Sequence, residues 1–270
     1  MMGNEWGRRK RSRALVRTVS PNFQNALANY FGSGPTDVAL SQAAHDDYVS
    51  ALKENGVEVD VLPGIAGHPD CTFVEDTAIV VDDVVVIANM GHHSREGEQV
   101  DVEAFLSERL EIVRMPEGAL MDGGDVVFFD DRFLVGLSTR TNKAGAAFLR
   151  EVAAARGYGV MEFDVPDSTL HLTTVCSSPA PGLIVAAEGH LTEGQFQPLM
   201  DEGFDVLWVP NEESYASNMI GFETGNVIVS ADYPVTRNLM ETRGYSVRPV
   251  DMEHIRAADG SLTCLSIFFQ

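Results

Sequence analysis

A polar residue with catalytic potential recurs along this chain at intervals close to 47 residues, and that period limits what the chain can fold into. Asp76, Asp122, His171, Asn218 and Cys264 stand 46, 49, 47 and 46 residues apart. Periods of roughly 20–50 residues belong to solenoids, propellers and arrays, in which each repeated unit buries its apolar faces against its neighbours. If the units close into a ring, these five side chains converge on its axis. Two carboxylates, an imidazole, an amide and a thiol in one place make a candidate active site.

The units can be read in the residues. One runs DTAIVVDDVVVIA (76–88), then VDVEAFLSERL (100–110), then EIVRMP ending at Pro116. The next runs DGGDVVFFDDRFLVGL (122–137), TNKAGAAFLREVAAARG (141–157) and YGVMEFDVP ending at Pro166. The third runs HLTTVCSSPAPGLIVAA (171–187), EGQFQPLMDEG (193–203) and FDVLWVP ending at Pro210. The fourth runs NMIGFETGNVIVSA (218–231), YPVTRNLMETRG (233–244) and YSVRPV ending at Val250. Each reads as two short apolar strands around a turn, an amphipathic helix and a third strand. Gly157, Gly203 and Gly244 stand just past the helical stretches, where a left-handed C-cap residue belongs. Pro116, Pro166 and Pro210 close the third strand, where a proline removes no ladder hydrogen bond.

The fifth unit is divided between the chain ends. CLSIFFQ (264–270) supplies its opening strand, and ALVRTVS (14–20), the helix around AAHDDYVSALKENG (43–56) and VEVDVLP (57–63) supply the rest. Joining both ends in one blade closes the ring and leaves few free strand edges. The expected architecture is α/β, five ββαβ units in one closed domain over 14–270. Residues 1–13, MMGNEWGRRKRSR, read as a basic, disordered tail without the apolar stretch of a signal peptide.

Composition excludes several function classes. No apolar run approaches the roughly 18 residues a membrane helix needs. The formal net charge is −21, from 40 acidic and 19 basic residues. Such a field repels nucleic acid and anionic membrane and favours cationic ligands. Cys71, Cys176 and Cys264 lie 105 and 88 residues apart, which is neither a disulfide framework nor a zinc-ribbon spacing. Unpaired thiols suit a reducing compartment, so the expected location is the cytoplasm.

Chemistry concentrates at the unit heads. Cys264 follows a Gly-containing turn at the start of an apolar strand. Free Cys often behaves as a small buried hydrophobe, but a thiol beside a His and carboxylates is a nucleophile candidate. His171, at the matching head, is the acid/base candidate. Asp122 opens a Gly pair that permits close backbone approach, while Asp125 reads as a turn cap. Asp76 ends FVED before a buried strand, where a carboxylate needs an internal Arg or a cationic ligand. Asp76 and Asp122 together imply a planar cation, since a guanidinium donates bidentate hydrogen bonds to a carboxylate. Asn218 reads as satisfying strand or turn backbone and stays outside the catalytic set. The neighbouring His92 and His93 would face opposite sides of a strand, so they do not read as a metal pair.

Seven ordered motifs carry a resemblance: FVEDTAIV (73–80), SREGE (94–98), DGGDVVFF (122–129), VGLSTRTNKAG (135–145), LHLTT (170–174), PNEESYASN (210–218) and DGSLTCLS (259–266). The chain resembles the dimethylarginine dimethylaminohydrolases of the guanidine-modifying, or pentein, superfamily, whose fold is a five-bladed ββαβ propeller, from about residue 13 to the end. The resemblance implies a covalent mechanism: Cys264 attacks the guanidinium carbon, His171 protonates the departing alkylamine, and a water activated by His171 releases citrulline. It implies that Asp122 pairs with the guanidinium and orients His171, and that Asp76 binds the other guanidinium nitrogens. Glu75, Asp70, Arg95 and Arg140 match positions that hold the amino-acid end, the two arginines being the partners of its α-carboxylate. No metal or organic cofactor is implied, and a homodimer is compatible with the family. The family often has two adjacent arginines after Ser94, where this chain has Arg95 and Glu96. The active-site lid begins in SPNFQNALANYF (20–31).

Other readings remain open from sequence. A related pentein could act on arginine, citrulline or another guanidino or ureido compound, and a propeller of this fold could be a non-catalytic binding protein. Ammonia against alkylamine release separates the first, and labelling of Cys264 by an amidine probe separates the second.

Overall fold

The computed structural model describes Trp6 and residues 11–270. Its strands form five three-stranded sheets, one per unit. The blade built from both chain ends contains β1 (Arg13–Arg17), α1 (Val38–Glu54) and β2 (Glu58–Leu62). Next come β3 (Ala78–Val81), β4 (Val84–Ile87), α2 (Gln99–Leu106) and β5 (Glu111–Arg114), then β6 (Val126–Phe129), β7 (Arg132–Leu137), α3 (Lys143–Ala154) and β8 (Gly159–Asp164). The third blade holds α4 (Leu172–Val175), β9 (Cys176–Ala180), β10 (Leu183–Ala187), α5 (Glu193–Asp201) and β11 (Asp205–Val209). The fourth holds β12 (Ile220–Gly221), β13 (Asn226–Ser230), α6 (Pro234–Thr242) and β14 (Ser246–Val250); α7 (Glu253–Arg256) then leads to β15 (Ser266–Phe269).

Every blade repeats one pairing rule. The first two strands pair antiparallel, joined by a turn except where they are the two chain ends, and the helical crossover returns the third strand parallel to the second, as a crossover connection requires. In the split blade β1 lies between β15, antiparallel with Leu15 opposite Ile267, and β2, parallel with Leu15 opposite Asp60. Ring closure through the chain ends is as expected. Gly157, Gly203 and Gly244 are left-handed, at φ 79°, 94° and 88°. One helix exceeds its expected length: α1 starts at Val38, five residues before the predicted stretch, because Asp37 accepts a hydrogen bond from Leu40 N and caps it.

Apolar burial is divided among the seams between blades. Ile79 and Val86 of the first blade pack with Phe133 and Leu149 of the second. Val127 and Phe129 pack with Ile184 and Phe196 across the next seam, and Val185 with Val229 across the one after. Val16, Tyr48 and Leu52 meet Ile228 and Val250, and Leu15 and Ile267 meet Val85 and Val102. The ring is therefore held at its seams, and its axis is free for polar groups. The tail expected over 1–13 falls mainly on residues 1–5 and 7–10, outside the described residues. Trp6 packs against the seam between the third and fourth blades, and the Arg11 guanidinium donates to the Gly221 carbonyl. No described helix is long and apolar enough to cross a membrane.

Candidate active site

The unit heads all fall in or beside short helical turns just before the inner strands: 3₁₀ turns at Val74–Thr77, Gly123–Asp125, Asn211–Ser217 and Thr263–Leu265, and α4 after His171. This common placement brings residues from four blades to one end of the axis. Asp76, Asp122, His171 and Cys264 are all buried. Asp76, His171 and Cys264 line one narrow cavity of about 20 Å³ with Asp70, Arg95 and Arg140.

The Gly pair after Asp122 allows the approach. A Cβ on Gly123 would lie 2.0 Å from the Glu75 carbonyl oxygen, and one on Gly124 would lie 2.6 Å from His171 Nδ1 and 2.7 Å from Asp76 Oδ1. Without side chains there, the Gly124 amide donates to Asp76 Oδ1 at 2.9 Å. His171 Nε2 is 3.1 Å from Asp122 Oδ2, and its Nδ1 is 3.8 Å from Asp76 Oδ1. Burial disfavours the imidazolium, but Asp76, Asp122 and Asp125 outweigh it and raise the His171 pKa to about 9. Burial likewise opposes the Asp122 charge, yet His171, Arg95 and the Gly91 amide hold its pKa below the ordinary value. The Gly91 amide donates to Asp122 Oδ1 at 2.7 Å, and Arg140 Nη1 reaches Oδ2 at 3.2 Å.

Cys264 Sγ is 3.3 Å from Ser261 Oγ. Burial, followed by the charges of Glu75 and Asp76, raises its pKa far above that of an ordinary thiol, so it rests protonated. Burial and Asp76 push Glu75 to about 8. The Glu75 carboxyl accepts from Thr263 Oγ1 at 2.8 Å, and Thr263 directly precedes Cys264. Ligand atoms of Asp76, Asp122 and His171 lie within 4.8 Å of one another, as metal ligands would. Both carboxylates are already matched by a guanidinium, Arg95 on Asp76 and Arg140 on Asp122. A cation in that space would meet two fixed positive charges.

Comparison with known proteins places this geometry. The family model for eukaryotic N,N dimethylarginine dimethylhydrolase matches residues 21–267. The N(G),N(G)-dimethylarginine dimethylaminohydrolase of Pseudomonas aeruginosa is 30% identical over 259 residues, covering 94% of this chain and 98% of that protein. The chain belongs to the dimethylarginine dimethylaminohydrolase family. The Streptomyces coelicolor dimethylarginine dimethylaminohydrolase is also 30% identical, over 258 residues, covering 94% of this chain and 96% of that one. A Pseudomonas aeruginosa structure of the family, a cysteine-to-serine mutant complexed with citrulline, superposes with a TM-score of 0.89 at 27% identity, covering 96% of this chain and all of that one. The N-terminal domain of the cyanobacterial arginine dihydrolase ArgZ shares the fold, with a TM-score of 0.85 at 16% identity over 96% of this chain and 97% of that one.

Within this dimethylarginine dimethylaminohydrolase-family site, two residues expected to contact substrate are joined to each other: Asp76 and Arg95, expected to grip its opposite ends, form an ion pair. Arg95 is 3% exposed and also donates to Glu98 Oε2 through Nε (3.0 Å) and Nη2 (2.7 Å), and to the Phe73 carbonyl. A buried carboxylate requires such a partner, and Arg95 was the cation within reach. Arg140 is committed through Nη1 alone among the described contacts, so it is the arginine with donors to spare. Asp70 Oδ1 accepts from Leu27 N at 3.0 Å, within the segment expected to begin a lid.

Asn218 has the backbone role expected of it, donating to the Thr173 carbonyl at 2.7 Å and accepting from Thr263 N at 3.1 Å. Glu96 is exposed, and the His92 and His93 rings stack 4.8 Å apart. Three contributors were missed from sequence. Glu98 anchors Arg95. Asp125 accepts from Leu172 N at 3.0 Å and pins the start of α4 beside His171. Asp259 accepts from the backbone amides of Asn29, Tyr30 and Gly32, fastening the lid over the cavity. The Asp259–Gly260 dipeptide was the available signal, since Asp in DG turns adopts the left-handed region, here with φ 60°.

Proposed function

We propose that this protein hydrolyses Nω-methylated arginine, both dimethylarginine and monomethylarginine, to citrulline and alkylamine through a thiouronium intermediate on Cys264. The carrying observation is a narrow cavity lined together by a thiol, an imidazolium and carboxylates, in a chain of this family. As the guanidinium binds, the Cys264 thiol loses its proton to solvent; the thiolate attacks the guanidinium carbon, and the resulting tetrahedral centre expels the amine, whose nitrogen takes a proton from His171. Water then adds to the amidine carbon while His171 recovers a proton, and the C–S bond breaks to give citrulline.

The resting charges support these roles. A pKa raised to about 9 keeps His171 ready to donate at neutral pH. The thiol is protonated chiefly through burial and the Glu75 and Asp76 charges. A guanidinium seated against those carboxylates offsets their effect and favours the thiolate. Asp122 orients His171 through Nε2. Glu75 and Asp76 supply the field that accepts the guanidinium, Arg140 takes the α-carboxylate, and Asp70, beside the lid, takes the α-amino end. The reading needs no cofactor and takes a small guanidino compound, rather than nucleic acid or a membrane, as partner. It places the protein in a reducing cytoplasm, which suits its three free cysteines. A homodimer is the assembly to test by light scattering.

The test is product analysis on the purified chain. Dimethylarginine should yield equimolar citrulline and dimethylamine, and Cys264→Ser should yield neither while keeping its fold. Normal turnover by that variant would overturn the mechanism. Release of ammonia from arginine in preference to alkylamine would reassign the chain to deiminase chemistry.

A further inference from the structure

The inner strands β3, β6, β9, β12 and β15 enclose a second cavity of about 540 Å³ along the axis, against about 20 Å³ for the catalytic one. Its outer end carries Asp82, Asp83, Arg109 and Gln270, all exposed, so it opens to solvent among the described residues. Its inner end is formed by Glu75, Thr173 and Thr263. Glu75 directly precedes Asp76, and Thr263 directly precedes Cys264. The two cavities therefore lie back to back with one layer of side chains between them.

That layer is hydrogen-bonded but thin. Glu75 Oε2 accepts from Thr263 Oγ1 at 2.8 Å and from Thr173 Oγ1 at 3.5 Å. No cationic partner holds the Glu75 carboxyl among its described contacts, in contrast to Asp76 and Asp122. Glu75 is partly exposed while its neighbours Val74 and Asp76 are buried, and the space it lines is the axial cavity.

The chemistry proposed above places a demand on this arrangement. After the C–N bond breaks, the amidine carbon remains bonded to Cys264 and the lid remains fastened by Asp70 and Asp259. One alkylamine must then leave and one water must enter before the C–S bond can break. The amino-acid chain of the intermediate, running from Cys264 toward Arg140 and Asp70, occupies the narrow front cavity, so it stands in the way of exchange on that side. We propose that the axial channel is the exit for the alkylamine and the entrance for the hydrolytic water, with the Glu75 side chain as its gate. Ala78, Val127 and Ile220 give the channel walls that suit N-methyl groups, and the carboxylate at its inner end attracts the amine as it is protonated. The inference rests on the functional reading of the same site.

Val80 tests it. It lines the channel two residues from Asp82, is half-buried, and lies outside the catalytic cavity. Val80→Trp should lower kcat for dimethylarginine at least tenfold with KM little changed. The fall should shrink from dimethylarginine to monomethylarginine to arginine, following the size of the departing amine. In single-turnover acid-quench mass spectrometry, thiouronium formation on Cys264 should keep its wild-type rate, and Val80→Ala should turn over normally. Val126→Trp, from the neighbouring inner strand, is the second plug if the first does not fold. A folded plug variant with wild-type kcat would refute the channel's role, and one slowed equally for every leaving group would refute it as the amine's exit. No turnover of dimethylarginine by the wild-type protein would overturn the functional reading, and the route with it.

Discussion

Replacing Asp122 with Asn tests whether its neighbours hold His171 as an imidazolium. The rise of its pKa from 6.5 to about 9 corresponds to about 3 kcal/mol of preference for the charged ring. Burial acts against that preference, so Asp76, Asp122 and Asp125 must supply more than the net. Asp122 is the carboxylate in hydrogen-bond contact, at 3.1 Å, and a buried bond to a charged group is worth roughly 1.5–3 kcal/mol. Asn keeps the shape and can still accept from Nε2, but it removes the charge. His171 should then titrate about one to two pH units lower in Asp122→Asn, and kcat should fall on the order of 10²-fold, the lower end for a lost acid–base function. NMR titration of isotopically labelled histidine reads the pKa directly, and the alkaline limb of the pH–rate profile should move with it. The folded pKa exceeds the unfolded one, so the imidazolium contributes its stability in full below pH 6.5 and loses it as pH rises through about 9. Thermal stability of the wild type should decline over that window, and the variant should show a flatter decline. A wild-type His171 titrating near 6.5, or an unchanged value in the variant, would refute the reasoning.

Two further substitutions test the supporting frame. Arg95→Met leaves Asp76 and Glu98 buried without their cation; urea unfolding should show a loss of about 3–5 kcal/mol, and a loss below about 1 kcal/mol would show that Arg95 does not balance those carboxylates. Asp259→Asn keeps a residue type that tolerates the left-handed backbone but replaces one lid-binding oxygen with an amide; hydrogen exchange at Asn29, Tyr30 and Gly32 should accelerate roughly 5–30-fold, as expected for one or two kcal/mol, and unchanged protection would exclude Asp259 as the lid's fastening.

The sequence carried the ring and the convergence of its unit heads because both follow from periodicity. A residue placed just before each inner strand must face the axis, whatever the loops between do. It could not carry partner choice inside the site. Asp76 and Arg95 are 19 residues apart, on two 3₁₀ turns whose relative positions depend on packing of the first blade. An Arg in a polar loop reads equally as solvated, substrate-binding or paired, and the third outcome appears only when Glu98 is seen three residues along with its carboxylate turned inward. Asp259 was hidden for a related reason: its partners are backbone amides more than 200 residues away, and amides leave no mark in side-chain patterns. Asn218 went the other way. Its position matched the catalytic heads, yet its bonds to Thr173 and Thr263 join neighbouring blades, so equal register does not confer equal chemistry.

The site's charges are matched in pairs. Arg95 faces Asp76 and Glu98, and Arg140 and the His171 imidazolium face Asp122. Buried charges persist only when matched in this way. A guanidinium entering the cavity adds a positive charge to an arrangement that is already matched, and something must change to receive it. At the cavity, Glu75 and Cys264 have their charged forms suppressed by burial and by adjacent carboxylate charge, Asp76 acting on both. A cation arriving beside them reverses the electrostatic part of that suppression, so binding favours loss of a proton from one or the other. If the proton leaves Cys264, the nucleophile forms only once its target is in place. If it leaves Glu75, the anion forms at the inner end of the axial channel.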